Sequence, residues 1–135
     1  MSQFRKVTDA FSVSPQITPD EARAAVAAGV VLIINNRPDA ESPDQPLSQE
    51  IEAIARAGGA DYVHIPFAGR PSEEQAAAQA QAVAAAKGPV LAFCRSGTRS
   101  ITAWALGEAA GGADREELVR LAASAGYDLR PALLG

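Results

Sequence analysis

At 135 residues, the chain is long enough to bury a hydrophobic core without disulfides or a structural metal, and it fits one catalytic domain spanning residues 1–135. Its 47% hydrophobic and 21% charged residues lie in the globular range and outside the disordered one. A formal charge of -4 opposes long-range attraction to polyanions, so neither nucleic acid nor an acidic membrane is an expected partner, and any anion site must be local.

A single cysteine excludes an internal disulfide, and one histidine with no Cys/His spacing excludes a zinc cluster, so neither a metal nor a cofactor is expected. The opening Met1-Ser2-Gln3-Phe4-Arg5-Lys6 lacks the apolar run of a secretory signal, and no stretch approaches a membrane span. The cytoplasm is the expected compartment, where a free thiol stays reduced.

A short apolar segment around Phe11 and Val13 comes first. Thr18-Pro19-Asp20-Glu21 then supplies an N-cap, a first-turn proline and a capping-box glutamate, which predicts a helix to about Ala28, stopped by Gly29. Val30-Val31-Leu32-Ile33-Ile34 is apolar on both faces, as in a central strand covered on both sides. A polar loop follows from Asn35 to Pro46, and Ile51, Ile54 and Ala55 mark a helix from Ser48 that Gly58-Gly59 ends. Tyr62-Val63-His64-Ile65-Pro66 reads as the next strand, closed by its proline. Ser72 with Gln75 forms a second capping box, opening an alanine-rich helix toward Gly88.

Val90-Leu91-Ala92-Phe93 is a short buried strand running into Cys94, and further helices begin after the following loop and at Asp114. Strands alternating with helices imply an α/β fold, a mainly parallel central sheet with helices on both faces, in which ligands gather at the carboxyl ends of strands. Cys94 stands at such an end.

The segment Cys94-Arg95-Ser96-Gly97-Thr98-Arg99-Ser100 carries the chemistry. A strand, a glycine turn and a helix starting near Arg99 aim backbone N–H groups at one spot that the helix dipole also makes positive. Such a spot binds an oxyanion and stabilises a thiolate at the loop's first position. Gly97 permits dihedrals closed to other residues, Arg99 offers a planar fork for two anion oxygens, and the Ser100 hydroxyl is expected to donate to the thiolate. Cys94 and Arg99 are therefore the catalytic candidates. Arg95, Ser96, Gly97, Thr98 and Ser100 are the anion-binding ones, with Arg95 serving through its amide.

Asn35-Asn36-Arg37-Pro38-Asp39-Ala40-Glu41, Tyr62-Val63-His64-Ile65-Pro66 and the Cys94 loop, in that order, resemble the phosphatase-like domain also found fused to metallo-β-lactamase-type hydrolases in bacterial sulfide metabolism. The likeness covers roughly residues 4–130 and implies a cysteine-phosphatase-like fold. Cysteine phosphatases place five residues between nucleophile and arginine, whereas single-domain rhodaneses commonly place four. Here Arg95, Ser96, Gly97 and Thr98 make four. Cysteine phosphatases also protonate the leaving group with an upstream aspartate, and alignment on the Tyr62 strand brings that position to Ala68 or Gly69, neither of which is an acid.

The expected activity is therefore a cysteine-dependent sulfurtransferase of rhodanese type. It would take sulfane sulfur from thiosulfate or a persulfide onto Cys94 and pass it to an external thiol or cyanide. A phosphatase acting through phosphocysteine is the alternative reading, and a non-enzymatic anion or persulfide sensor is a third. His64 reads as a structural histidine and Trp104 as core. Arg37 and Glu41 flank a turn and are expected to pair. Arg37 and Arg70 are secondary substrate candidates, Arg70 more simply a solvated side chain.

Overall fold

The apolar runs of the sequence become a five-stranded sheet because each places alternate side chains on both faces, and helices cover both. In the computed structural model, which describes residues 3–135, the elements in chain order are β1 (Arg5–Thr8), β2 (Phe11–Ser14), α1 (Pro19–Ala27), β3 (Leu32–Asn35), α2 (Ser48–Ala57), β4 (Asp61–His64), α3 (Glu73–Ala85), β5 (Val90–Phe93), α4 (Thr98–Ala110), α5 (Arg115–Ser124) and α6 (Arg130–Leu133). Met1 and Ser2 of the opening segment lie outside the described residues.

The strand order is β1-β2-β5-β3-β4, with β1 antiparallel to β2 and every other pairing parallel. Leu32 and Ile34 of β3, with Val90 and Ala92 of β5, join a core completed by Ile101, Trp104, Leu118 and Leu133 from α4, α5 and α6. Ile33, Leu91 and Phe93 face the other way, against Ala22 and Ala25 of α1 and Ile51 and Ala55 of α2. The helices thus lie on both faces, and Trp104 is core: it stacks on Phe11 with ring centroids 5.4 Å apart.

Both capping boxes form. The Thr18 hydroxyl accepts from the Glu21 amide and the Ser72 hydroxyl from the Gln75 amide, while each glutamate or glutamine side chain returns to its cap. Several elements differ from the sequence reading, among them β4, which runs from Asp61 to His64 and ends before Ile65. The apolar segment around Phe11 and Val13 is the inner strand of a hairpin, whose outer strand β1 alternates too weakly to be read locally, with Arg5 and Lys6 exposed. β3 begins at Leu32, because the Val30 amide is spent on the Ala25 carbonyl in closing α1. The four-residue α6 has no apolar period of its own and rests on tertiary packing of Leu133.

Ser14, Phe93, Asn35 and His64 are in register at the carboxyl ends of the four parallel strands. The segments that leave these ends all converge on the loop after Phe93. No helix is long and apolar enough to cross a membrane among the described residues.

Candidate active site

β5 stops at Phe93 and α4 starts at Thr98, so the segment between must reverse direction in four residues. Gly97 makes this possible: it caps α4 with φ +93°, a left-handed conformation that side chains disfavour. Its N–H donates to Cys94 Sγ at 3.1 Å. Cys94 itself is fully buried, while Arg95, Ser96 and Thr98 are exposed. The Arg95 side chain is exposed, and its carbonyl accepts from the Gln16 amide. The Ser96 hydroxyl donates to Thr98 Oγ1 at 3.1 Å along the rim.

Arg99 is held more tightly than its sequence context shows. Its Nη1 donates to Glu41 Oε2 at 2.7 Å and to the Phe67 carbonyl at 2.9 Å, and Nη2 donates to Glu41 Oε1 at 2.9 Å. A guanidinium has five N–H donors, so the Nε–H and the second Nη2–H remain as a side-on fork. Glu41 also accepts from Arg37 Nε at 2.9 Å. The hydrogen bond from Arg99 and the one from Arg37 outweigh partial burial and lower the Glu41 carboxyl to about 2. The carboxylate in turn raises Arg99 above its ordinary range, an effect to which Cys94 adds.

Arg37 does pair with Glu41 as expected, and its further bonds make it a strut. Nη1 reaches Gln16 Oε1 at 3.0 Å, Nη2 reaches Ser42 Oγ at 3.2 Å, and its side chain is only 5% exposed. His64 Nε2 lies 2.8 Å from the Arg37 carbonyl, fixing the same turn from β4. Arg70 is exposed, and lines a cavity of about 690 Å³ between α3 and α4 that does not include Cys94.

Behind the loop runs a buried polar chain that the sequence did not disclose. Asn36 Nδ2 donates to the Ile65 carbonyl at 3.0 Å and to Gln79 Oε1 at 2.8 Å, and Gln79 Nε2 donates to the Ser100 carbonyl at 3.0 Å. Gln79 sits in an alanine-rich helix with no apolar stripe to mark its inward face, so only its lone polar burial identifies it. The expected bond from the Ser100 hydroxyl to the thiolate is not formed. The Gly97 amide serves the sulfur instead, and Ser100 Oγ has no partner among the described residues.

The position of the missing acid stays empty of carboxylates: Ala68 and Gly69 are both exposed. Asp61 begins β4 and so stands at the opposite end of the sheet from Cys94. Glu73 and Glu74 are first-turn residues of α3, and Asp39 accepts from the Ser48 amide at the start of α2. Glu41 is near Arg99, yet a carboxyl lowered to about 2 is ionised at neutral pH and has no proton to give.

Known proteins share this architecture. The family model described as beta-lactamase hydrolase-like protein, phosphatase-like domain, matches residues 3–111. A beta-lactamase hydrolase-like protein of Agrobacterium fabrum is 41% identical over 105 residues, 76% of this chain and 24% of that protein. The chain spans about a quarter of the length of the curated relatives it matches. Among solved structures, one from Neisseria meningitidis described as a candidate phosphatase has a TM-score of 0.85 at 31% identity, covering 97% of this chain and 94% of that one. Another from Shewanella putrefaciens, described likewise, has a TM-score of 0.69 at 20% identity over 93% and 92% of the two chains, a likeness of fold alone. The chain therefore belongs to the phosphatase-like domain family of the beta-lactamase hydrolase-like proteins, with a cysteine-phosphatase-like fold.

Proposed function

We propose that this domain is a cysteine-dependent phosphatase acting on phosphate monoesters with good leaving groups. The observation that carries the reading is the Gly97 N–H aimed at Cys94 Sγ from the N-terminus of α4, in a chain of this family. In the first step the Cys94 thiolate attacks phosphorus, the S–P bond forms, and the bond from phosphorus to the leaving oxygen breaks. Loop amides and the side-on fork of Arg99 hold the remaining phosphoryl oxygens. In the second step water attacks phosphorus, the S–P bond breaks, and inorganic phosphate leaves with the thiolate restored. With no acid at Ala68 or Gly69, the departing oxygen takes its proton from water. Aryl phosphates are then the preferred class, because a phenoxide leaves without protonation more readily than an alkoxide.

The phosphatase descriptions of the relatives favour this over sulfur transfer, which the sequence alone ranked first. One feature still supports the second reading: only four residues separate Cys94 from Arg99. In that reaction the thiolate attacks the outer sulfur of thiosulfate, the S–S bond breaks, sulfite leaves, and the Cys94 persulfide passes its sulfur to cyanide or a thiol.

Intact-mass measurement separates the two. Brief exposure to an aryl phosphate followed by acid quench is expected to trap a phosphoryl adduct on Cys94, with sustained release of phosphate. A sulfur adduct from thiosulfate, discharged by cyanide, in the absence of any phosphoryl adduct would overturn the phosphatase reading. Binding of either anion without turnover would leave the domain a sensor.

A further inference from the structure

We propose that Tyr127 is a positioning residue that holds the Ser96–Gly97 peptide in its anion-binding orientation. The inference rests on the Cys94 loop being an anion site. It concerns a side chain beyond the segment matched by the family model.

The Tyr127 hydroxyl donates to the Ser96 carbonyl at 2.9 Å, and on the other side of the same peptide unit the Gly97 N–H donates to Cys94 Sγ at 3.1 Å. In a planar trans peptide the C=O and N–H point in opposite directions. Fixing the carbonyl outward therefore fixes the N–H inward. Rotating this peptide by half a turn would present a carbonyl oxygen to the sulfur and to any bound anion, replacing attraction by repulsion. Gly97 offers little resistance to that rotation, since glycine occupies both signs of φ. The restraint has to come from outside the loop, and the phenol is the group in place to supply it. Gln16 does the same for the neighbouring peptide through its backbone amide on the Arg95 carbonyl, at 3.3 Å.

The backbone of Tyr127 is itself tied to the end of α5. The Gly126 amide bonds the Ala123 carbonyl and the Tyr127 amide the Ala122 carbonyl, with Gly126 at φ +98°, so the end of α5 turns the ring back over the loop. A Cβ at Gly97 would lie 2.2 Å from the phenol oxygen, so the glycine is required by the contact as well as by its φ. Burial raises the phenol above its ordinary range, as does Cys94 on the loop side, while Arg5 from β1 acts in the opposite direction. The hydroxyl therefore stays protonated, and remains a donor, throughout neutral pH.

Tyr127→Phe keeps the ring and removes the donor. Inorganic sulfate, which cannot react, reports the loop's anion affinity by calorimetry, and the Gly97 amide proton reports the peptide's orientation by NMR. The variant is expected to bind sulfate roughly two- to tenfold more weakly, the range of one neutral hydrogen bond. Its Gly97 amide response to sulfate should shrink while circular dichroism is unchanged, which a packing role alone would not produce. Equal sulfate affinity and an equal Gly97 response in folded Tyr127→Phe would overturn the role of Tyr127 while leaving the anion site standing. A wild-type protein that binds no sulfate would overturn the anion site and this inference together. Should Tyr127→Phe not fold, the wild-type Gly97 amide still decides: rapid hydrogen exchange and no movement on adding sulfate would mean that the peptide is not held inward.

Discussion

Arg99 meets Glu41 through both terminal nitrogens, at 2.7 and 2.9 Å, across 58 residues of sequence. The arginine of the loop is thereby held in one orientation, with its Nε edge not engaged by Glu41. That arrangement suits electrostatic catalysis, in which donors that are already aligned need no reorganisation as charge develops.

Arg99→Lys should keep the fold and lose turnover by roughly 10²- to 10³-fold, the effect of removing a preorganised anion donor. A lysine retains the charge and can still reach Glu41, but it has no planar fork. Steady-state kinetics beside a thermal melt check this, and unchanged turnover would remove Arg99 from the mechanism.

Glu41 ties acid stability to the same pair. Its folded carboxyl lies near 2, below its value of about 4.5 in an unfolded chain, so the stabilisation is fully present above about 4.5 and is lost as pH falls toward 2. The shift converts to about 3 kcal/mol as an upper bound, which solvent reduces to on the order of 1–2 kcal/mol because the Glu41 side chain is a quarter exposed. Thermal melts from pH 6 to pH 2 should show the gap between wild type and Glu41→Gln closing toward the acid end. A gap independent of pH would mean that the carboxylate charge is not its source.

Gln79→Leu should cost about 1–3 kcal/mol, because the Ser100 carbonyl and Asn36 each lose a buried partner. The hydrophobic replacement fills similar volume, so the loss is one of polar pairing. Denaturant unfolding gives the number, and a variant as stable as wild type would show that the buried chain carries no net stabilisation.

Placing a carboxylate where an acid is lacking should help only phosphate ester cleavage, since only that reaction expels a poor leaving group. Ala68→Asp is the better choice than Gly69→Asp, because Gly69 adopts φ +71° and a side chain there is strained. Hydrolysis of alkyl phosphates should rise and acquire a bell-shaped pH profile, with any sulfur transfer from thiosulfate roughly unchanged. No gain on alkyl phosphates would mean that the loop does not bring residue 68 to the leaving oxygen.

The sequence by itself determined the alternation of strand and helix, both capping boxes, β5 from Val90 to Phe93, and the placement of Cys94 at its carboxyl end. These features depend on local chemistry: side-chain period, caps and glycine breaks act over a few residues. It also anticipated the pairing of Arg37 with Glu41, four positions apart. Tertiary structure alone decided that Glu41 grips Arg99, that Gln79 bridges Asn36 to the Ser100 carbonyl, and that Tyr127 reaches Ser96. It likewise decided that the Gly97 amide, and not the Ser100 hydroxyl, meets the sulfur. Each of these depends on where separate segments meet at the ends of the parallel strands. Polar partners distant in sequence carry no periodicity, and become visible only when the sheet brings them together.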